Sequence, residues 1–323
     1  MEYVHLGRSG LSVSRLCLGT VNFGPITDEA EAHRMMDRAL ERGVNFIDTS
    51  NSYGGDSGKG RSEEIIGRWF AKGGGRRERT VLATKVYEAM GEWPNESGLS
   101  ALSIRRALDA SLRRLQTDYI DLYQFHHVDR GTPWDEIWQT VEVAVGQGKV
   151  LYSGSSNFAA WHIAQAQEAA ARRHFTGLVS EQSIYNLITR DAEREVLPAA
   201  REYGIGILVW SPLHEGVLAG RPREASDARR RLAGRAAEAS ATRNEQLQRY
   251  EALAAELGYR AAGLALAWLL HQPGVTAPII GPRNLSQLDS AVDALDITLE
   301  AESMLRLDEI FPGHRPAPED YAW

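Results

Sequence analysis

The chain is short of cysteine, of lysine and of long apolar runs, and each shortage removes a class of answers. A single cysteine, Cys17, among 323 residues leaves no intramolecular disulfide and no cysteine-based zinc site. Inside RLCLGT it reads as a buried structural thiol rather than a nucleophile. No stretch approaches the roughly 20 apolar residues of a membrane span, and MEYVHLGRSG has neither the basic start nor the apolar core of a secretory signal. A cytoplasmic protein without a membrane partner is expected. The net charge of −7 argues against a general nucleic-acid binder. Only four lysines stand beside 32 arginines, so a lysine inside an apolar strand calls for an explanation.

Also missing is the glycine-rich turn that a dinucleotide-binding open sheet places after its first strand. The run GGG at 73 to 75 precedes a strand. GGDSGKG at 54 to 60 fails as a phosphate loop, because Tyr53 stands five before Gly58 and Lys59 is followed by glycine; it reads as a flexible loop. The pair His126 and His127 has no HExxH or carboxylate companion, and no metal is expected.

What is present is a rhythm. Short β-like runs alternate with helical patterns along the whole chain: LCLGT, NFIDT, TVLATKV, YIDLYQF, VLYSGSS, GLVSEQ, GILVWS and TAPIIG. Residues 28 to 42 form the clearest helix between them, with Asp28 and Glu31 as a capping box and Gly43 as its stop. A second runs over 103 to 115. Eight nearly continuous apolar strands separated by helices predict a parallel sheet closed as a (β/α)8 barrel, one domain over 1 to 323; an open doubly wound sheet is the alternative. The opening YVHLGRSGLSVSRL reads as a β-hairpin placed to plug the barrel's bottom. The arginine-rich stretch 221 to 242 reads as a long mobile βα loop.

In such a barrel the chemistry stands at the C-terminal ends of the strands. There the sequence puts Asp48 with Tyr53 in its loop, Lys85, and His126. Beyond them follow Ser155, Ser156 and Asn157, then Glu181 and Gln182, Trp210 and Ser211, and finally Gly281 and Arg283. A buried lysine needs a partner, and Asp48 from the neighbouring strand supplies one. Charged Lys85 beside Tyr53 is expected to pull the phenol from about 10 toward neutrality, making it a general acid. Neutral His126 would orient a carbonyl oxygen. His127 is expected to point the opposite way, as adjacent strand residues do. Tyr87, Trp93, Phe158 and Trp161 are candidates to line a substrate pocket or anchor loops.

Over nearly its whole length the chain resembles the aldo-keto reductase superfamily, through LGRSGLSVSRLCLGTVNFG, FIDTSNSYG, LATKV, YIDLYQFHH, GSSNF, EQSIYNL, WSPLHEGVLAG and IIGPRNLSQL. The resemblance implies a barrel that binds NADPH across its mouth and reduces a small-molecule carbonyl, with Asp48, Tyr53, Lys85 and His126 as catalytic tetrad. It implies cofactor contacts from Gly19 and Thr20; from Ser156, Asn157 and Gln182 at the nicotinamide carboxamide; and from Trp210 stacked on the nicotinamide. Ser211, Leu213, Gly216 and Leu218 would follow the pyrophosphate and Arg283 would meet the adenosine 2′-phosphate, with Pro212, Gly281 and Gln287 as further cofactor contacts. Ser290 and Ala291 stand where many relatives carry a Glu-Asn pair against adenine. The text is similar to bacterial reductases of keto sugars and nucleotide-linked keto-deoxysugars, ketone or enone. The alternatives are a nucleotide-sensing regulatory subunit like the channel β-subunits of this superfamily, and a barrel glycosidase using Asp48 and Glu181.

Overall fold

The computed structural model describes residues 1–220 and 242–323. The arginine-rich stretch read as a mobile loop lies outside them, apart from Thr242.

Eight parallel strands close into a barrel: β3 (Cys17–Gly19), β4 (Phe46–Asp48), β5 (Val81–Val86), β6 (Ile120–Phe125), β7 (Val150–Ser156), β8 (Leu178–Ile184), β9 (Gly206–Trp210) and β10 (Val275–Ile280). They pair in chain order, and β10 returns to β3. All eight fall where the apolar runs placed them, and the open-sheet alternative is excluded. Around them lie α1 (Glu29–Glu41), α2 (Arg61–Phe70), α3 (Ala101–Leu115), α4 (Trp134–Gly146), α5 (Ala160–Arg172), α6 (Val196–Tyr203), α7 (Asn244–Glu256), α8 (Ala261–Leu270), α9 (Leu285–Asp293) and α10 (Ala301–Ile310). No single helix among the described residues is long and apolar enough to cross a membrane.

Asp28 caps α1 through the Glu31 amide, 2.8 Å away. Only half of the expected box forms, because the Glu31 carboxylate turns to Arg34. Gly43 ends the helix at φ 84°, a left-handed stop that glycine adopts at little cost. The loop GGDSGKG holds a short 3-10 turn, Gly55–Ser57, and Gly60 then starts α2 at φ 85°.

The N-terminal hairpin forms from β1 (Tyr3–His5) and β2 (Ser12–Ser14), antiparallel with Val4 opposite Val13. Its Leu6 and Val13 join Cys17, Phe46, Ala83, Leu122, Val179, Leu208, Ala277 and Ile279 in one buried cluster. That cluster is the filled lower half of the barrel interior, with the hairpin as its stopper. Gly7 makes the close fit possible: a Cβ there would stand 2.5 Å from the Gly204 carbonyl oxygen.

Strand side chains repeat with a period of two, so each apolar lumen residue predicts the direction of the residue two further on. Phe46 is followed by Asp48, Ala83 by Lys85, and Leu122 by Gln124. The lumen therefore changes from apolar to polar in one layer, toward the C-terminal mouth.

Candidate active site

At the centre of the polar layer, Lys85 is fully buried and spends its three N–H donors on three acceptors. They are Asp48 Oδ2 at 2.5 Å, the Thr49 carbonyl at 3.0 Å and the Tyr53 hydroxyl oxygen at 3.2 Å. Burial alone would push the ammonium down, but Asp48 and Tyr53 outweigh it and hold Lys85 above its ordinary value. The lysine is charged.

Asp48 is held from its other side as well. Its Oδ1 accepts from Gln124 Nε2 at 2.8 Å and from Gln182 Nε2 at 2.9 Å. Gln124 was not singled out from the sequence, although a polar residue inside YIDLYQF was the available signal. Gln182, expected at a carboxamide, commits its side-chain nitrogen to Asp48.

The expected lowering of Tyr53 does not occur in this structure. Burial pushes the phenol up from its ordinary value, and the pull of the Lys85 ammonium is too small to reverse it. Tyr53 is a neutral acid whose conjugate base would form beside a fixed positive charge. Its loop is fixed by a second polar chain. Ser62 at the start of α2 donates to the Thr20 carbonyl at 3.0 Å and accepts from Thr49 at 3.1 Å, and the Ser62 amide donates to the Tyr53 carbonyl. Glu63, equally buried, accepts from Thr84 at 2.6 Å and Arg114 at 2.7 Å, tying α2 to β5 and α3.

His126 lies one residue beyond β6, and its amide donates to the Val86 carbonyl. Burial, then Lys85 and His127, lower its imidazole to about 2, so it is neutral. Its ring stands edge-on to Tyr53 with centroids 6.0 Å apart, and Ser50 Oγ lies 3.3 Å from Nδ1. His127 does not point the opposite way. The two imidazoles stack at 5.0 Å and 5°, because both residues follow the strand's end and the alternation no longer applies. His127 instead pairs with Glu88 at 3.1 Å and meets Tyr87 edge-on.

The remaining predicted residues ring the mouth. Asn157 adopts φ 59°; its Nδ2 donates to the His126 carbonyl and to Ser156 Oγ, and its Oδ1 accepts from Trp210 Nε1 at 3.0 Å. Ser211 (φ 53°) and Gly216 (φ 94°) belong to a loop with His214 and Glu215 in the same left-handed region, and Pro212, Leu213 and Leu218 complete it. A Cβ on Gly216 would meet nothing within 4 Å, so the loop borders open space. Gly19 packs against Ile279 and Ile280, and Gly281 accepts from Asn22 through its carbonyl. Thr20 is fully buried, its hydroxyl on the Asp48 carbonyl at 3.1 Å. The Arg283 amide donates to Gln287 Oε1, while the Asn284 side chain caps α9 on the Gln287 amide. Ser290 lies 3.4 Å from an Arg260 nitrogen.

Glu181 is not in this layer. Its neighbour Gln182 faces the lumen, so Glu181 faces the helices, where it binds Ser155 and Ser183. The two-carboxylate glycosidase reading therefore loses its second carboxylate. Phe158 is buried against Trp134 as a loop anchor, whereas Trp93 and Trp161 stand exposed on the rim.

The profile of the Aldo/keto reductase family matches residues 15–311. The chain belongs to this family. An "Uncharacterized oxidoreductase YrpG" of Bacillus subtilis (strain 168) is 53% identical over the full length of both chains. A versiconal hemiacetal acetate reductase of Aspergillus parasiticus is 34% identical, covering 98% of this chain and all of that protein. A probable voltage-gated potassium channel subunit beta of Arabidopsis thaliana is also 34% identical, over 99% of this chain and all of that protein.

Proposed function

We propose that this aldo/keto reductase is an NADPH-dependent reductase of an aldehyde or ketone, with Tyr53 as general acid. The observation that carries the reading is the lysine bridge: one ammonium touches both Asp48 Oδ2 and the Tyr53 oxygen. Because Lys85 donates to that oxygen, the phenol's own proton is left for a substrate oxygen. As the proton leaves, the charge on Tyr53 develops 3.2 Å from a cation already in place, so little reorganisation is needed. Neutral His126 can donate to the same oxygen from the side and orient it. Asp48 keeps the ammonium in position, and Gln124 and Gln182 keep Asp48.

NADPH would supply the hydride. The mouth fits it: Asn157 and the Gln182 oxygen suit a carboxamide, and the Trp210 ring suits a flat heterocycle. The left-handed turns of 211 to 216 border open space suited to a pyrophosphate, and Arg283 at the start of α9 suits a phosphate. On the rim, His127 and Glu88 are 41% and 42% exposed beside His126, which suits the hydroxyl groups of a keto sugar. The similarity to channel β-subunits supports the second reading, a nucleotide-sensing subunit with little turnover. The reductase reading is preferred because the polar layer is assembled in full.

The test is transfer of label. Purified protein is given NADPH deuterated at C4 with simple aldehydes, keto sugars and a nucleotide-linked keto sugar. Deuterium on the former carbonyl carbon of at least one product is expected. Tight NADPH binding without deuterium in any product would favour the sensing subunit instead.

A further inference from the structure

Glu181 is fully buried on the outer face of β8, and no step of the proposed reaction uses it. A carboxylate is expensive to bury, and here hydroxyls and an amide face it instead of a base. Ser155 donates to Oε2 at 2.5 Å; Ser183 and the Phe158 amide donate to Oε1 at 2.8 and 3.1 Å. On α5, His162 packs its ring against Phe158, and burial holds it below its ordinary value.

Two of these donors flank Asn157, one before it and one after. Asn157 itself sits at φ 59°, where a side chain other than glycine is uncommon and must be secured by its surroundings. From that conformation its amide reaches both the His126 carbonyl and the Trp210 indole. We propose that Glu181 is a positioning residue: by gripping the chain on both sides of Asn157 it sets the geometry that joins His126 and Trp210 at the cofactor end of the mouth. The proposal rests on reading that mouth as a cofactor site. Glutamine has the same shape but no charge and only one accepting oxygen for the three donors, so the grip weakens without loss of volume.

The experiment compares the parent with Glu181→Gln, Ser155→Ala and Asp121→Asn. Asp121 is a buried carboxylate of β6 held by Arg77 and the Leu82 amide near the barrel's lower end, and it serves as the structural control. Glu181→Gln should raise the cofactor KM about tenfold, the size of a lost hydrogen bond to a charged group, while kcat stays within about twofold. It should also abolish any difference in cofactor KM that the parent shows between about pH 6 and pH 8, since the parent's Glu181 is held up to about 7. Ser155→Ala should move the cofactor KM the same way by about threefold, so the result stands even if the glutamine variant folds poorly. Asp121→Asn should lower the melting temperature and leave the cofactor KM unchanged. An unchanged cofactor KM in Glu181→Gln and Ser155→Ala, or an equal rise in Asp121→Asn, overturns the proposal while leaving the reductase reading intact. A parent that binds no NADPH overturns both.

Discussion

Lys85 shows how much one side chain is asked to do. With no solvent to share its charge, it depends on Asp48, Thr49 and Tyr53, and removing it would leave the Asp48 carboxylate in the barrel's interior without a counter-charge. Lys85→Met should therefore lower the unfolding free energy by about 3 to 5 kcal/mol, the cost of breaking a buried pair, as read from denaturant titration. Tyr53 makes a separate prediction. Since burial raises its phenol, the acid form persists through neutral pH. Carbonyl reduction measured in a single turnover should stay level from pH 6 to pH 9 and fall only as pH climbs past about 10, the ordinary phenol value. A decline centred near neutrality would mean that Lys85 dominates, as the sequence first suggested. The reason the sequence misled is physical: Lys85 next to Tyr53 is legible in the text, but the extent of burial that opposes it is a property of the folded barrel.

At the scale of elements, alternation made most of the site legible. Asp48, Lys85 and Gln124 share the lumen because Phe46, Ala83 and Leu122 do, two residues earlier. The rule breaks in β8: Val179 belongs to the lumen cluster, yet a register shift against β7 between Leu178 and Ser180 turns Gln182 inward and Glu181 outward. Alternation failed where a strand had already ended: His126 and His127 lie past β6 and stack instead of diverging. The seryl and glutamyl contacts of Ser62 and Glu63 were illegible, since their partners Thr20, Thr84 and Arg114 come from distant elements. The hairpin is a different case, readable in full from its turn and its apolar residues. As it closes the end opposite the mouth, Leu6→Ala should cost about 2 to 5 kcal/mol of stability and leave turnover per folded molecule unchanged, checked by denaturation and active-site titration.

The molecule as a whole balances a net charge of −7 with arginine-rich pairing between helices. Arg68 reaches Glu29 across α1 and α2, and Arg38 and Arg42 share Asp289 across α1 and α9. Pairs this exposed to solvent contribute little, so these belts arrange the helices more than they stabilise them. The larger pH-dependent contribution comes from inside. Glu181 is raised to about 7 by burial. A carboxyl raised in the folded state contributes stability that is complete below its unfolded value and is lost as pH rises through about 7. Glu181→Gln does not titrate, so relative to the parent its unfolding free energy should improve by about 2 kcal/mol between pH 5 and pH 8, followed by urea titration at each pH.

In the proposed reaction Tyr53, held beside the Lys85 ammonium, gives the proton that completes carbonyl reduction. Tyr53→Phe removes that proton and keeps the ring that packs beside His126. Turnover with the best substrate and NADPH affinity by fluorescence titration, measured on the same preparation, separate the loss of that proton from any loss of binding. A loss of about 100-fold or more in kcat, the scale of general acid catalysis, is expected, with NADPH affinity within about twofold of the parent. A variant that reduces the substrate at the parent's rate would contradict that role of Tyr53.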